Sequence, residues 1–98
     1  MRQNTEADNL AHLTQAMQSG STAEIRQVLS KCLEHDSEQF LLLLLYKGLA
    51  YTDSDVQKQC AELLARHVTK LREHLQALLN HPQESIRYWS LYLLGKND

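Results

Sequence analysis

Chain breakers are scarce in this sequence: one proline and three glycines among 98 residues. Ala, Leu, Gln, Glu, Lys and Arg dominate instead, and these favour helix. β-Branched residues are mostly isolated, so the chain is expected to be nearly all α-helical. Cysteine is also rare. Cys32 and Cys60 fall within apolar-periodic segments, which predicts reduced core thiols rather than a disulfide and an intracellular, cytoplasmic setting. A charge excess is missing. The net charge is −2, with four Lys/Arg and six Asp/Glu in residues 1–49 and six of each thereafter. Without a strong basic field, general nucleic-acid binding is disfavoured. The longest unbroken apolar run ends at Tyr46 and is far short of the roughly 20 residues that span a bilayer. Residues 1–20 are polar and lack the apolar segment of a signal peptide.

With 43% apolar and 22% charged residues, the chain has the balance of a single globular domain over 1–98. Helix starts are well marked. Thr5-x-x-Asp8 has a capping-box form, Ser21-x-x-Glu24 a stronger one, and the stretches His35–Ser37 and Thr52–Asp55 supply further caps. Leu10, Leu13 and Met17 share the first apolar stripe, and Gly20 stops that helix. Ile25, Val28, Leu29, Cys32 and Leu33 form the second stripe; Val56, Cys60, Leu63, Leu64 and Val68 form a later one. A restart near Thr69 is expected, with Leu71, Leu75, Leu78 and Leu79 beyond it. One long helix is the alternative. Pro82 suits a first helical turn, and Gly95 a stop. Between these, FLLLLLYKGLAY (40–51) is apolar on every side, the pattern of a helix with neighbours all round.

The pattern repeats. Ile25, Val56 and Ile86 superpose at offsets of 31 and 30 residues, each after a polar turn. Paired apolar residues follow each, Cys32–Leu33, Leu63–Leu64 and Leu93–Leu94, and Leu41, Leu45 and Leu49 match Leu71, Leu75 and Leu79. Three helical hairpins are therefore expected. The segment ALLNHPQESIRYWSLYLLGK (77–96) resembles a HEAT repeat in Pro82, the Ile86–Arg87 pair and Leu94–Gly95. AEIRQVLSKCLE keeps Ile25–Arg26, whereas TDSDVQKQCAELLARH carries Gln57 in the arginine place; His81, Tyr51 and Gly20 stand at the turn aspartate. The resemblance implies a short right-handed α-α superhelix of three stacked hairpins, about six helices, with approximate repeats 5–35, 37–67 and 69–98.

No residues converge on catalysis. Ser21, Ser37 and Ser54 read as caps, the two cysteines as core, and no glycine-rich phosphate loop is present. His67, His74 and His81 recur every seven residues, about 10 Å apart along one helix and too far to share an ion. Glu34–His35 and Glu73–His74 are adjacent pairs that point to different sides. No catalytic residue, cofactor or metal site is expected. Arg66, Lys70 and Arg72 make a local basic stretch, the candidate for phosphate contact if the protein were a HEAT-like nucleic-acid binder.

The final segment differs. Its core positions are Ile86, Ser90, Leu93 and Leu94, with Trp89 at the flank, yet Tyr88, Leu91 and Tyr92 fall on the opposite side. The matching positions hold Lys58, Ala61 and Glu62 in the middle repeat and Gln27, Ser30 and Lys31 in the first. Two tyrosines and a leucine where the other repeats are polar or small predict a contact surface, with Arg87 beside it; the bland alternative is that they fold over the end of the core. The function expected is non-enzymatic protein binding by a small adaptor or inhibitor. That reading extends to a bacterial immunity protein (an antitoxin) masking a toxin domain. A structural homodimer through the C-terminal helix is the further alternative.

Overall fold

The computed structural model describes residues 5–32 and 37–96. All regular structure among them is helical, with no strand. Helix α1 spans Thr5–Ser19, α2 Thr22–Ser30, α3 Glu38–Leu43, α4 Ser54–Leu64, α5 Val68–Leu78 and α6 Glu84–Lys96. A π-helical turn, Leu44–Gly48, prolongs α3, and a 3₁₀ turn, Ala65–His67, joins α4 to α5. The described chain therefore runs as five unbroken helical segments. No helix among the described residues is long and apolar enough to cross a membrane.

Local chemistry sets the starts. Ser21 Oγ accepts from the Glu24 amide at 3.3 Å, and Ser37 Oγ accepts from Phe40 N at 3.3 Å. Asp53 Oδ1 accepts from Asp55 N at 2.8 Å and Val56 N at 3.1 Å. Each side chain satisfies amides that the first helical turn leaves unpaired. Gly20 ends α1 in the left-handed region (φ 77°) while its amide donates to Ala16 O at 3.1 Å, a conformation that favours glycine. The Thr5 side chain, Leu33, Glu34, His35 and Asp36 lie outside the described residues.

Three boundaries differ from expectation. No turn opens at Thr69; the chain bends at His67, whose φ of −129° leaves helical geometry without interrupting the helical run. Between Asp53 and Pro82 there is neither glycine nor proline, so a tightened turn changes direction where a breaker would otherwise act. Pro82 precedes α6 instead of sitting in its first turn, and Gly95 stays within α6. Glycine stops a helix only when it turns left-handed, and among the described residues Gly20 alone has a positive φ.

Helix α1 packs on α2, the π turn on α4, and α5 on α6; α2 also lies against α4, and α4 against α6. The principal extents are 41 × 27 × 17 Å, two helix layers thick. One apolar core runs through all of it, from Leu13 and Ala16 to Ile86 and Leu93. Ile25, Val56 and Ile86 are all buried. The leucine run is accommodated on several sides: Phe40, Leu41, Leu44, Leu45 and Leu49 are buried, and Leu42 and Leu43 pack partly exposed against the core.

The π turn is closed by Leu49 N donating to Leu44 O at 3.0 Å. Helix α4 packs directly on it. A Cβ on Gly48 would overlap Cys60 Sγ and stand 3.1 Å from Cys60 Cβ, so glycine at 48 sets the approach of α4. The three carbonyls after it are each taken up by a side chain from further along the chain. Ser85 Oγ donates to Leu49 O at 2.8 Å, Gln83 Nε2 to Ala50 O at 2.9 Å, and Gln57 Nε2 to Tyr51 O at 2.6 Å. These bonds hold the turn after α3 to α4 and to the start of α6, satisfying acceptors that the helix end leaves open.

Ser90 is buried in α6, and its Oγ has no hydrogen-bond partner. The residues at the corresponding sequence offsets, Leu29 and Cys60, are apolar. An unpaired hydroxyl in a core costs its desolvation, about 1 kcal/mol or more. Ser90→Ala is therefore expected to stabilise the protein by about 1 kcal/mol, read as a higher urea midpoint at unchanged slope. A lower midpoint would mean that the hydroxyl is satisfied in solution.

Candidate functional site

Helix α6 is anchored before it presents anything. Besides Gln83 and Ser85, Arg87 fixes its entry: one guanidinium nitrogen donates to His81 O at 2.7 Å and to Pro82 O at 2.9 Å. Arg87 is exposed, yet this nitrogen is spent on its own turn. Trp89 is half-buried against the core, and its indole N–H donates to Gln57 Oε1 at 3.0 Å. Gln57 thus bridges the indole and the Tyr51 carbonyl. A tryptophan held through both its apolar body and its N–H is a rigid base for its neighbours.

Those neighbours are Tyr88 and Tyr92, four residues apart and so on one side of the helix. Both rings meet the indole nearly at right angles, at centroid distances of 5.0 and 5.4 Å and interplanar angles of 81° and 87°. They remain in water: Tyr88 is 60% exposed, Tyr92 44% and Leu91 65%. Helix α4 completes the surface. A cleft of about 230 Å³ is lined by Lys58, Ala61 and Glu62 from α4 and by Tyr88, Trp89 and Tyr92 from α6. Ala61 is buried at its floor, whereas Lys58 and Glu62 are exposed.

Arg66 lines a hollow with Ser30, Gln59 and Glu62, whereas Lys70 lines a different one with Glu38 and His74. Arg72 is exposed on α5. The described histidines each have a separate neighbour: Glu24 Oε2 lies 3.1 Å from His12 Nε2, Tyr46 Oη lies 3.3 Å from His74 Nδ1, and His81 Nδ1 accepts from Gln83 N at 3.0 Å. His67 sits at the bend. Among the described residues, no three His, Cys, Asp or Glu side chains are placed to share a metal ion. Both cysteines are free and buried, and burial pushes both thiols up, Cys60 to about 12. A thiol held protonated in this way is a poor nucleophile.

Two larger hollows flank the site. One, about 700 Å³, runs between α2 and α4 and carries Arg26, Lys58, Asp55 and Glu62, a balanced set of charges. The other, about 650 Å³, lies over the π turn among Met17, Leu43, Tyr46, Lys47 and Tyr51. Sequence reading pointed to Tyr88, Leu91 and Tyr92 but not to Gln57, whose role appears only once residues 32 apart meet. It also used Lys58, Ala61 and Glu62 only as points of contrast, although they form the other wall of the cleft. The 30-residue offset was the available signal, since it places α4 beside α6. The chain matches no family model, no curated protein and no solved structure.

Proposed function

We propose that this chain is a non-enzymatic protein-binding module of HEAT-like type, a short right-handed solenoid of three stacked hairpins whose partner docks on α6. It acts as a small adaptor or inhibitor, and an immunity protein that masks a toxin domain is one form of that role. The solenoid reading is supported by the packing of α1 on α2, of the π turn that prolongs α3 on α4, and of α5 on α6, and by the serial contacts of α2, α4 and α6. The observation that carries the binding reading is the exposure of Tyr88, Leu91 and Tyr92 on one helix. Large apolar side chains clustered in water commonly mark a contact site, and tyrosine is enriched among residues that dominate binding. The nucleic-acid alternative, through Arg66, Lys70 and Arg72, is disfavoured because Arg66 and Lys70 line separate hollows.

The double variant Tyr88→Gln, Tyr92→Gln tests this. Its thermal midpoint and its capture of proteins from a lysate are compared with those of the wild type. The expected result is a folded variant that no longer retains a protein the wild type retains. Loss of a binding-dominant aromatic costs about 2 kcal/mol or more, over tenfold in affinity. Collapse of the midpoint with unchanged association per folded molecule would make the rings core. Sedimentation of the same pair separates self-association from a foreign partner. Retention that falls steeply with added salt would favour nucleic acid instead.

A further inference from the structure

We propose that the cleft between α4 and α6 receives an arginine side chain of the partner; this rests on the protein-binding reading above and specifies its chemistry. Three aromatic rings contribute to the cleft, two of them perpendicular to the indole between them. Ring faces are electron-rich and attract cations, tryptophan and tyrosine most strongly. Glu62 adds a full negative charge at the same cleft. Its carboxylate has no hydrogen bond or ion pair among the described residues. Aromatic rings beside a carboxylate complement a cation that can both stack and donate. A guanidinium does both, lying flat on a ring while its N–H groups fork onto a carboxylate. A quaternary ammonium would use the rings but leave Glu62 without a donor.

Lys58 lines the cleft as well. It stands four residues before Glu62, and it has no hydrogen bond, ion pair or ring contact among the described residues. It is therefore a competing cation that an incoming guanidinium must displace or repel. Opposite effects follow from the two charges. Removing Glu62 should weaken arginine binding and removing Lys58 should strengthen it, whereas an apolar occupant would be indifferent to both. Both side chains are exposed on α4, so their glutamine variants leave the core intact.

Trp89 is the only tryptophan in the sequence, so selectively excited tryptophan fluorescence reports on this cleft. The probes are N-acetyl-arginine amide and its neutral isostere N-acetyl-citrulline amide, titrated at matched ionic strength. The arginine compound is expected to give a saturable change, with the citrulline compound about tenfold weaker, as expected when the cationic contact is lost. Glu62→Gln should weaken the arginine response about fivefold and Lys58→Gln should strengthen it by a similar factor. Equal responses to the two amides, no saturable response, or indifference to both charge variants would overturn the assignment. So would tetramethylammonium binding as tightly as the arginine compound and unaffected by Glu62→Gln. If arginine fails here but the double tyrosine variant still loses its partner, protein binding on α6 stands and only the arginine chemistry falls. If arginine binds and the tyrosine variant keeps its partner, the docking surface lies elsewhere and the cation site remains.

Discussion

Replacing Leu45 by alanine is expected to destabilise the protein by about 2–5 kcal/mol. Leu45 is fully buried in the π turn, which packs on α4. Truncation removes the transfer free energy of the lost isopropyl group. It also leaves a cavity that neighbours can fill only partly. Relaxation is restricted here, because Gly48 already brings the π turn against Cys60 and the carbonyls that follow are tied to Gln57, Gln83 and Ser85. Leu42, on the same run, is only partly buried, and its truncation should cost clearly less. Urea unfolding of both variants gives the comparison. A loss below about 1 kcal/mol for Leu45→Ala would show that the site collapses freely and is no part of a close-packed core.

Much of the helical layout was legible because it is local. Ser21 and Ser37 cap the helices they precede as their positions predict, because a cap depends on residues two or three positions away; at the third start the carboxylate of Asp53 takes the amides and Ser54, expected as the cap, is the first helical residue. The buried set Ile25, Val56 and Ile86 was legible from periodicity, since a stripe at helical spacing has one way to face a core. The π turn was not. In FLLLLLYKGLAY nearly every phase is apolar, so the pattern is silent on whether a turn holds one residue more. The bend at His67 escaped for the opposite reason: no glycine or proline marks it. In the candidate site, the excess of aromatic residues on α6 was visible by comparison with the segments about 30 and 61 residues earlier. The anchoring of its indole was not, because it depends on the Trp89–Gln57 bond between residues 32 apart in sequence. Gln57, where the other two segments carry Arg26 and Arg87, was visible as a departure, but a departure alone does not name the partner it meets.

Alkaline pH is expected to destabilise the protein through Cys60, and Cys60→Ala is expected to remove most of that loss. Cys60 is fully buried in α4 beside Gly48. Burial penalises the thiolate and pushes its pKa from 9.0 up to about 12. The folded chain thus holds this proton more tightly than the unfolded chain does. Below about pH 9 both states are protonated and the contribution is fully present. As pH rises beyond that, the unfolded thiol ionises while the folded one does not, and stability falls by about 1.4 kcal/mol per pH unit. The fall ends once pH passes the folded value. Cys32 is raised in the same direction by burial, with the Lys31 charge opposing, so it adds a component of the same sign in both proteins. Every other titratable group is shared by the two proteins and cancels in their difference. The measurement is the unfolding free energy of wild type and Cys60→Ala at intervals from neutral pH into the alkaline range. Alanine leaves no new hydroxyl in the core and gives Gly48 more room, so the variant should fold. Parallel pH curves for the two proteins would show that Cys60 ionises with water access in the native state, and that the contact with Gly48 opens in solution.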